Sequence, residues 1–79
     1  MKKQSIHRWA FLRSMMVNKS GEVPFKEIYE ERKLAKATLI ALFRGRSEPS
    51  LLTLRRIAKH LNMAASDLLK MSEEYFKTI

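Results

Sequence analysis

Residues 44–61 have the sequence RGRSEPSLLTLRRIAKHL. The loop at the start of this stretch ends in Pro49 and Ser50, and serine is a favoured residue at the N-cap of an α-helix. Apolar residues follow at intervals of three and four, the spacing that places side chains on one face of a helix. These residues are Leu51, Leu54, Ile57, Ala58 and Leu61. The stretch therefore predicts a helix that begins after Ser50, buries one face and ends near Asn62.

Helical periodicity continues on both sides of this stretch. The other predicted helices cover about residues 5–17, 25–32 and 35–44, with a last helix from about Ser66. Gly21 and Gly45 follow predicted helix ends, where glycine supplies the left-handed residue that stops a helix. No stretch alternates apolar and polar residues as a half-buried strand does. We therefore expect an all-α fold of five short helices in a single domain over residues 1–79.

The same periodicity predicts the faces that turn inward. In the first helix the predicted face is Ile6, Trp9, Ala10, Arg13, Met16 and Val17, and in the second it is Phe25, Ile28 and Tyr29. In the third helix the inward candidates are Leu39, Leu42 and Phe43. These faces are expected to meet the apolar stripe of residues 51–61 in one core.

The positive charge of the chain is concentrated in its middle. The 79 residues include 16 Lys and Arg against eight Asp and Glu, which gives a net charge of +8. Eight of the basic residues and one acid, Glu48, lie within residues 32–59. Because this block lies in patterned helices and not in a tail, it favours nucleic acid among the possible polyanionic partners.

Catalytic and metal chemistry have little support in the sequence. Cysteine is absent, and His7 and His60 stand alone on different predicted helices. Glu27 and Glu31 share a helix face that is expected to be solvated, and no glycine-rich loop is present to hold phosphate. An enzyme is therefore not expected, and neither is a cofactor or a metal ion. The apolar runs are too short for a membrane span, and no signal peptide is predicted.

The second and third predicted helices are joined by a tight turn near Arg32-Lys33-Leu34. Two short helices with such a turn are typical of a helix-turn-helix, whose second helix enters the major groove of DNA. The predicted motif covers about residues 24–45 and overlaps the basic block.

The residues after this pair of helices resemble a known signature. Arg44-Gly45, Pro49-Ser50, Thr53-Leu54, Ile57-Ala58, Leu61 and Asp67-Leu68-Leu69 resemble the phage-repressor helix-turn-helix family, the Cro/C1 or XRE class, over about residues 24–69. The resemblance implies a compact five-helix, lambda-repressor-like domain. It implies a cytoplasmic, sequence-specific repressor or other transcription regulator of bacterial, phage or plasmid type that binds double-stranded DNA. A homodimer is expected, since one recognition helix contacts too few base pairs to select a site.

Four positions depart from the family pattern. Tyr29 stands where the family has alanine, Lys33 where the turn has glycine, Phe25 where a glutamine is common, and Phe43 where a glutamate is common. The bulk of Tyr29 is expected either to widen the crossing of the two helices or to turn its ring to the edge. Lys33 is expected either to avoid a positive φ or to adopt one at a cost of about 1 kcal/mol.

The candidate DNA contacts are grouped around the third helix and the loop that follows it. Lys36 is predicted to donate to guanine, and Ala37 or Ile40 to contact thymine methyl groups. Arg44 and Arg46 are predicted to bind phosphates, as is the N-terminus of the next helix. The full set is Lys33, Lys36, Ala37, Thr38, Ile40, Arg44, Arg46, Ser50 and Thr53. Arg55 and Lys59 are expected on a solvated face, and for Lys2, Lys3 and Arg8 a DNA-contacting arm and a disordered end are equally open.

Two further interpretations stay open. The apolar residues Ala37, Ile40, Ala41 and Phe43 would also suit an antitoxin or anti-repressor that holds a protein partner, such as a toxin or a repressor, on the same fold. At the C-terminus, Tyr75, Phe76 and Ile79 are candidates for a homodimer contact, and folding back onto the monomer core is the alternative.

Overall fold

The computed structural model describes residues 8–78, with side chains described through residue 75. Within this part of the chain there are five α-helices and no strand, which confirms the all-α fold with five helices. The helices are α1 (Phe11–Met16), α2 (Phe25–Arg32), α3 (Lys36–Phe43), α4 (Leu51–His60) and α5 (Ala65–Thr78). Helix α4 contacts both α2 and α5, and α3 contacts α1 and α2.

The stripe on α4 forms the centre of the core. Leu54, Ile57 and Ala58 are buried, and Leu61 packs against the core from its edge. Leu51 was predicted to share this face, but it is 62% exposed, so this part of the prediction is wrong. Leu51 is the first residue of α4, and the buried face of the helix begins only one turn later.

The face of α1 also differs from the prediction. The helix begins at Phe11 after a turn at residues 8–10, and the buried side chains are Trp9, Leu12 and Met16. Arg13, which was predicted to face inward, is exposed. Every residue from 9 to 12 and from 15 to 17 is apolar, so periodicity alone does not select one face. Ile6 lies outside the described residues.

Local sequence signals end α3 and begin α4 as expected. Gly45 has a φ of 72°, and its amide donates to Leu42 O at 3.1 Å while the amide of Arg46 donates to Ala41 O at 2.8 Å. These two bonds are a Schellman motif, which satisfies carbonyls at a helix end. The Oγ of Ser50 then accepts the amide of Thr53 at 3.1 Å and caps α4.

Side chains of the turn at residues 8–10 connect distant parts of the chain. The guanidinium of Arg8 donates from Nη2 to the Oγ of Ser72 at 2.9 Å and also lies over the ring of Trp9. The Trp9 indole Nε1 donates to Glu48 Oε1 at 2.9 Å. Ser72 is fully buried on α5, and no periodic signal marked it as a core position. The turn thereby holds α5 and the α3–α4 loop in place.

Candidate nucleic-acid interface

Residues 33–35 connect α2 to α3. Lys33 has a φ of 59° and a ψ of 35°, so of the two expected outcomes the residue adopts the left-handed conformation. The Lys33 amide donates to Tyr29 O at 2.8 Å, and Nη1 of Arg56 donates to Lys33 O at 3.2 Å. Leu34 is buried in the core. Both polar groups of the Lys33 backbone are therefore bonded, and the next side chain anchors the turn.

Helix α3 turns its two leucines inward and its first residues outward. Leu39 and Leu42 are buried, as predicted. Of the four residues expected to point outward, Lys36, Ala37, Ile40 and Ala41, the first two are exposed, and Thr38 is exposed as well. The remaining side chains on the helix, Ile40, Ala41 and Phe43, are half-buried. The N-terminal half of α3 is therefore its open part, and Ile40 contributes only some of its surface.

Two lysines lie over aromatic rings beside the turn. The Nζ of Lys36 is 5.2 Å from the ring centroid of Phe25, and the Nζ of Lys33 is 5.8 Å from that of Tyr29. Both distances are within the range of cation–π attraction. Tyr29 is 54% exposed, so its ring is turned to the edge, one of the two outcomes expected for this residue. Its prediction as part of the inward face of the second helix is therefore wrong.

The basic side chains after α3 flank the Gly45 turn. Arg44 and Arg46 are both exposed, and the Schellman motif fixes the backbone between them. The predicted phosphate site at the start of α4 contains Ser50, which is exposed, and Thr53, which is half-buried. The Ser50 hydroxyl also donates to Thr53 Oγ1 at 3.0 Å, so the two side chains form one capped unit.

Glu48 is the acidic residue within this basic segment. Its carboxylate accepts a hydrogen bond from the indole of Trp9, which is buried. Sequence reasoning missed this bond, as it missed both lysine–aromatic pairs. For Tyr29 and Lys33 the spacing i,i+4 was an available signal, since residues four apart are neighbours on a helix. No such local signal marked the contact of Lys36 with the Phe25 ring or the hydrogen bond from Trp9 to Glu48.

The remaining basic residues lie elsewhere. Arg55 and Lys59 are exposed, as predicted, and line a groove of about 500 Å³ between the end of α4 and the start of α5. Arg8 bonds to Ser72, which matches neither of the two alternatives left open for it, a DNA-contacting arm and a disordered end. Lys2 and Lys3 lie outside the described residues.

The proposed dimer residues are described only in part. The ring of Tyr75 is half-buried and contacts Phe11 of the same chain, with ring centroids 5.4 Å apart. The Phe76 side chain and all of Ile79 lie outside the described part of the structure.

Three further findings concern identity and chemistry. No protein-family model, curated protein or solved structure matches this chain. In the described part of the chain, no group of three His, Asp or Glu side chains is arranged to hold a metal ion. Over the same residues, no helix combines the length and the apolar character needed to cross a bilayer.

Proposed function

We propose that this protein is a sequence-specific DNA-binding transcription regulator of the helix-turn-helix type. The observation that carries the proposal is the pair α2 and α3, two eight-residue helices joined by three residues. Their lengths and connection suit a helix-turn-helix, in which the N-terminal residues of the second helix contact base edges. The exposed Lys36, Ala37 and Thr38 supply a donor, a methyl group and a hydroxyl at that end of α3.

The charges around α3 support the same function. Lys33 and Lys36 are exposed at its start, and Arg44 and Arg46 are exposed just past its end. Cations at both ends of a helix that lies in a groove can bind the phosphates on either side of it. Such contacts set the register on the duplex, while base-edge contacts select the sequence.

The direct test is binding to the DNA upstream of the protein's own gene, measured by fluorescence anisotropy against a random duplex of equal length. Specific binding is expected, with log K falling linearly as log[salt] rises. Equal affinity for both duplexes at every salt concentration would contradict sequence-specific regulation. A lack of binding to either duplex would contradict DNA binding altogether.

The apolar character of α3 supports a second candidate, an antitoxin or anti-repressor that holds a protein partner. Lys36 and Thr38 are the only residues of this helix whose side chains are able to form hydrogen bonds. Co-purification with the product of a neighbouring gene is the test. Ala37→Asp should break such a complex, and Arg46→Ala should leave it intact. A complex that survives Ala37→Asp does not use this surface.

Dimerisation through the C-terminus belongs to the same proposal. The contact of Tyr75 with Phe11 means that the dimer surface is better tested at Phe76 and Ile79. Sedimentation equilibrium of the full chain should give a dimer, and the double variant Phe76→Asp, Ile79→Asp should give a folded monomer. A dimer that persists in this variant uses another surface.

A further inference from the structure

A groove of about 480 Å³ separates the start of α2 from the start of α3. It is lined by Phe25, Lys26, Tyr29, Ala35 and Lys36. Two of these residues are aromatic, and two are lysines. The groove is open, since Tyr29 on its wall is 54% exposed.

A lysine ammonium group lies over each of the two aromatic rings of this groove, and Phe25 also packs partly against the core. Lys36 lies over Phe25 and Lys33 over Tyr29, at 5.2 and 5.8 Å from the ring centroids. Cation–π contacts of exposed lysines are weak, because the ammonium gives up part of its hydration to make them. A planar ligand can therefore displace an ammonium from a ring face, and the freed lysine can bind an anionic group of the same ligand.

Double-stranded DNA offers no exposed base face that could stack on these rings. Paired bases present only their edges in the grooves, whereas an unpaired base exposes a face that stacks on an aromatic side chain. Aromatic rings beside cations that follow a phosphate backbone are the usual means of binding single strands. The groove combines aromatic rings and lysines at the starts of α2 and α3.

We propose that this groove binds unpaired nucleotides of single-stranded nucleic acid. A base stacks on Tyr29, with Phe25 as the second platform, and the flanking phosphates bind Lys26, Lys33 and Lys36. The activity goes beyond duplex recognition and does not depend on it. An acidic peptide with an apolar anchor is the rival occupant, but such an anchor favours an enclosed pocket, and this groove is open.

The test uses the full chain and fluorescence anisotropy with four labelled probes. These are a dT dodecamer, a U dodecamer, a random duplex and a twelve-residue polyglutamate peptide. Binding of the dT or U strand is expected, and the comparison of the two separates DNA from RNA as the ligand. Polyglutamate binding as tight as that of the strands would overturn the proposal, since charge alone would then explain the affinity.

The exposed Tyr29 allows a matched pair of variants. Tyr29→Leu should weaken single-strand binding about tenfold and change random-duplex binding little, whereas Tyr29→Phe should keep the affinity of the original chain. Circular dichroism checks that both variants are folded. A single strand containing 2-aminopurine gives a second readout, because stacking on a ring quenches its fluorescence.

Two results with the Tyr29→Leu variant would also overturn the proposal. One is a Tyr29→Leu variant that binds the dT and U strands as tightly as the unchanged protein does. The other is an equal loss for strands and duplex, which would indicate a general loss of the cationic surface. Binding to the DNA upstream of the gene is measured separately, so failure of the duplex proposal is distinguishable from failure of this one.

Discussion

The indole Nε1 of Trp9 donates a hydrogen bond of 2.9 Å to Glu48 Oε1, although 39 residues separate the two in sequence. Trp9 is only 3% exposed, so its N–H has little access to water. The bond joins the turn before α1 to the loop that carries Arg46. One carboxylate in a strongly basic segment is thereby used as a structural acceptor.

Substitution of Glu48 separates the hydrogen bond from the charge. Glu48→Ala leaves the indole N–H without an acceptor and should lower the free energy of unfolding by about 1 kcal/mol. Glu48→Gln keeps an acceptor oxygen and should lower it by less than half as much. Urea denaturation followed by the fluorescence of Trp9, the single tryptophan, measures both. Equal losses in the two variants would show that the bond contributes nothing.

Substitution of Lys33 tests the turn between α2 and α3. Lys33→Gly removes the strain of a side chain at φ 59°, which costs about 1 kcal/mol. Glycine also raises the conformational entropy of the unfolded chain, and this offsets part of the gain in stability. The free energy of unfolding should therefore be unchanged or rise by up to about 1 kcal/mol. Lys33→Ala keeps the strain and should bring no such gain.

Both Lys33 variants lose the same charge. Each should weaken duplex binding and reduce the slope of log K against log[salt] by about one, if Lys33 contacts a phosphate. The assignment predicts that the two variants differ from each other in stability but show the same reduced salt slope. An unchanged slope in both would place Lys33 away from the backbone.

Lys36 is the predicted base-reading residue. Its contact with Phe25 is worth about 0.5–1 kcal/mol at an exposed site, whereas a good guanine contact gives about 1–3 kcal/mol of discrimination. The ammonium should therefore leave the ring when the preferred site is bound. Lys36→Ala should cost about 1–3 kcal/mol at that site and much less on random DNA. An equal loss on both would make Lys36 a phosphate contact.

Arg46 should behave differently from Lys36. It is exposed beside the Gly45 turn, where α3 ends. Arg46→Ala should weaken specific and random duplex binding alike and reduce the salt slope by about one. Lys59→Ala is the matched control, because Lys59 is exposed on the groove between α4 and α5. A loss in the control as large as that in Arg46→Ala would argue against a localised interface.

Local chemistry made the boundary between α3 and α4 predictable, whereas the first helix, predicted over about residues 5–17, covers only Phe11–Met16 in the described part of the chain. Ser50 caps α4, and Gly45 ends α3 in the left-handed conformation. Both effects involve backbone groups only a few residues away, so they could be recognised in the sequence. In α3 the predicted inward residues Leu39 and Leu42 are buried, and Phe43, the third, is half-buried against the core. In α1 the apolar residues surround the helix, and Leu12 was consequently missed.

Contacts between distant residues had no sequence signal. Arg8 and Ser72 are 64 residues apart, and their bond depends on how α1 and α5 pack. The same holds for Lys36 over Phe25, which requires the starts of α2 and α3 to meet. The electrostatic surface could thus be predicted in outline, whereas the aromatic groove within it required the packed helices.

Ser50 allows capping to be separated from phosphate binding. Its Oγ accepts the Thr53 amide at 3.1 Å, so Ser50→Ala should lower the free energy of unfolding by about 1 kcal/mol. Ser50→Asp keeps a capping oxygen and places a negative charge at the positive end of the helix dipole, so stability should be retained.

The two variants should rank the other way round in duplex affinity, with Ser50→Asp weaker than Ser50→Ala. Asp at position 50 would repel a phosphate at the start of α4, so Ser50→Asp should weaken binding strongly at low salt and less at high salt. Ser50→Ala should weaken it only slightly, because the backbone amides that attract phosphate remain. Urea denaturation measures the stability of the two variants, and fluorescence anisotropy measures their duplex affinity. If Ser50→Asp binds duplex DNA as well as Ser50→Ala does, the N-terminus of α4 does not face the DNA backbone.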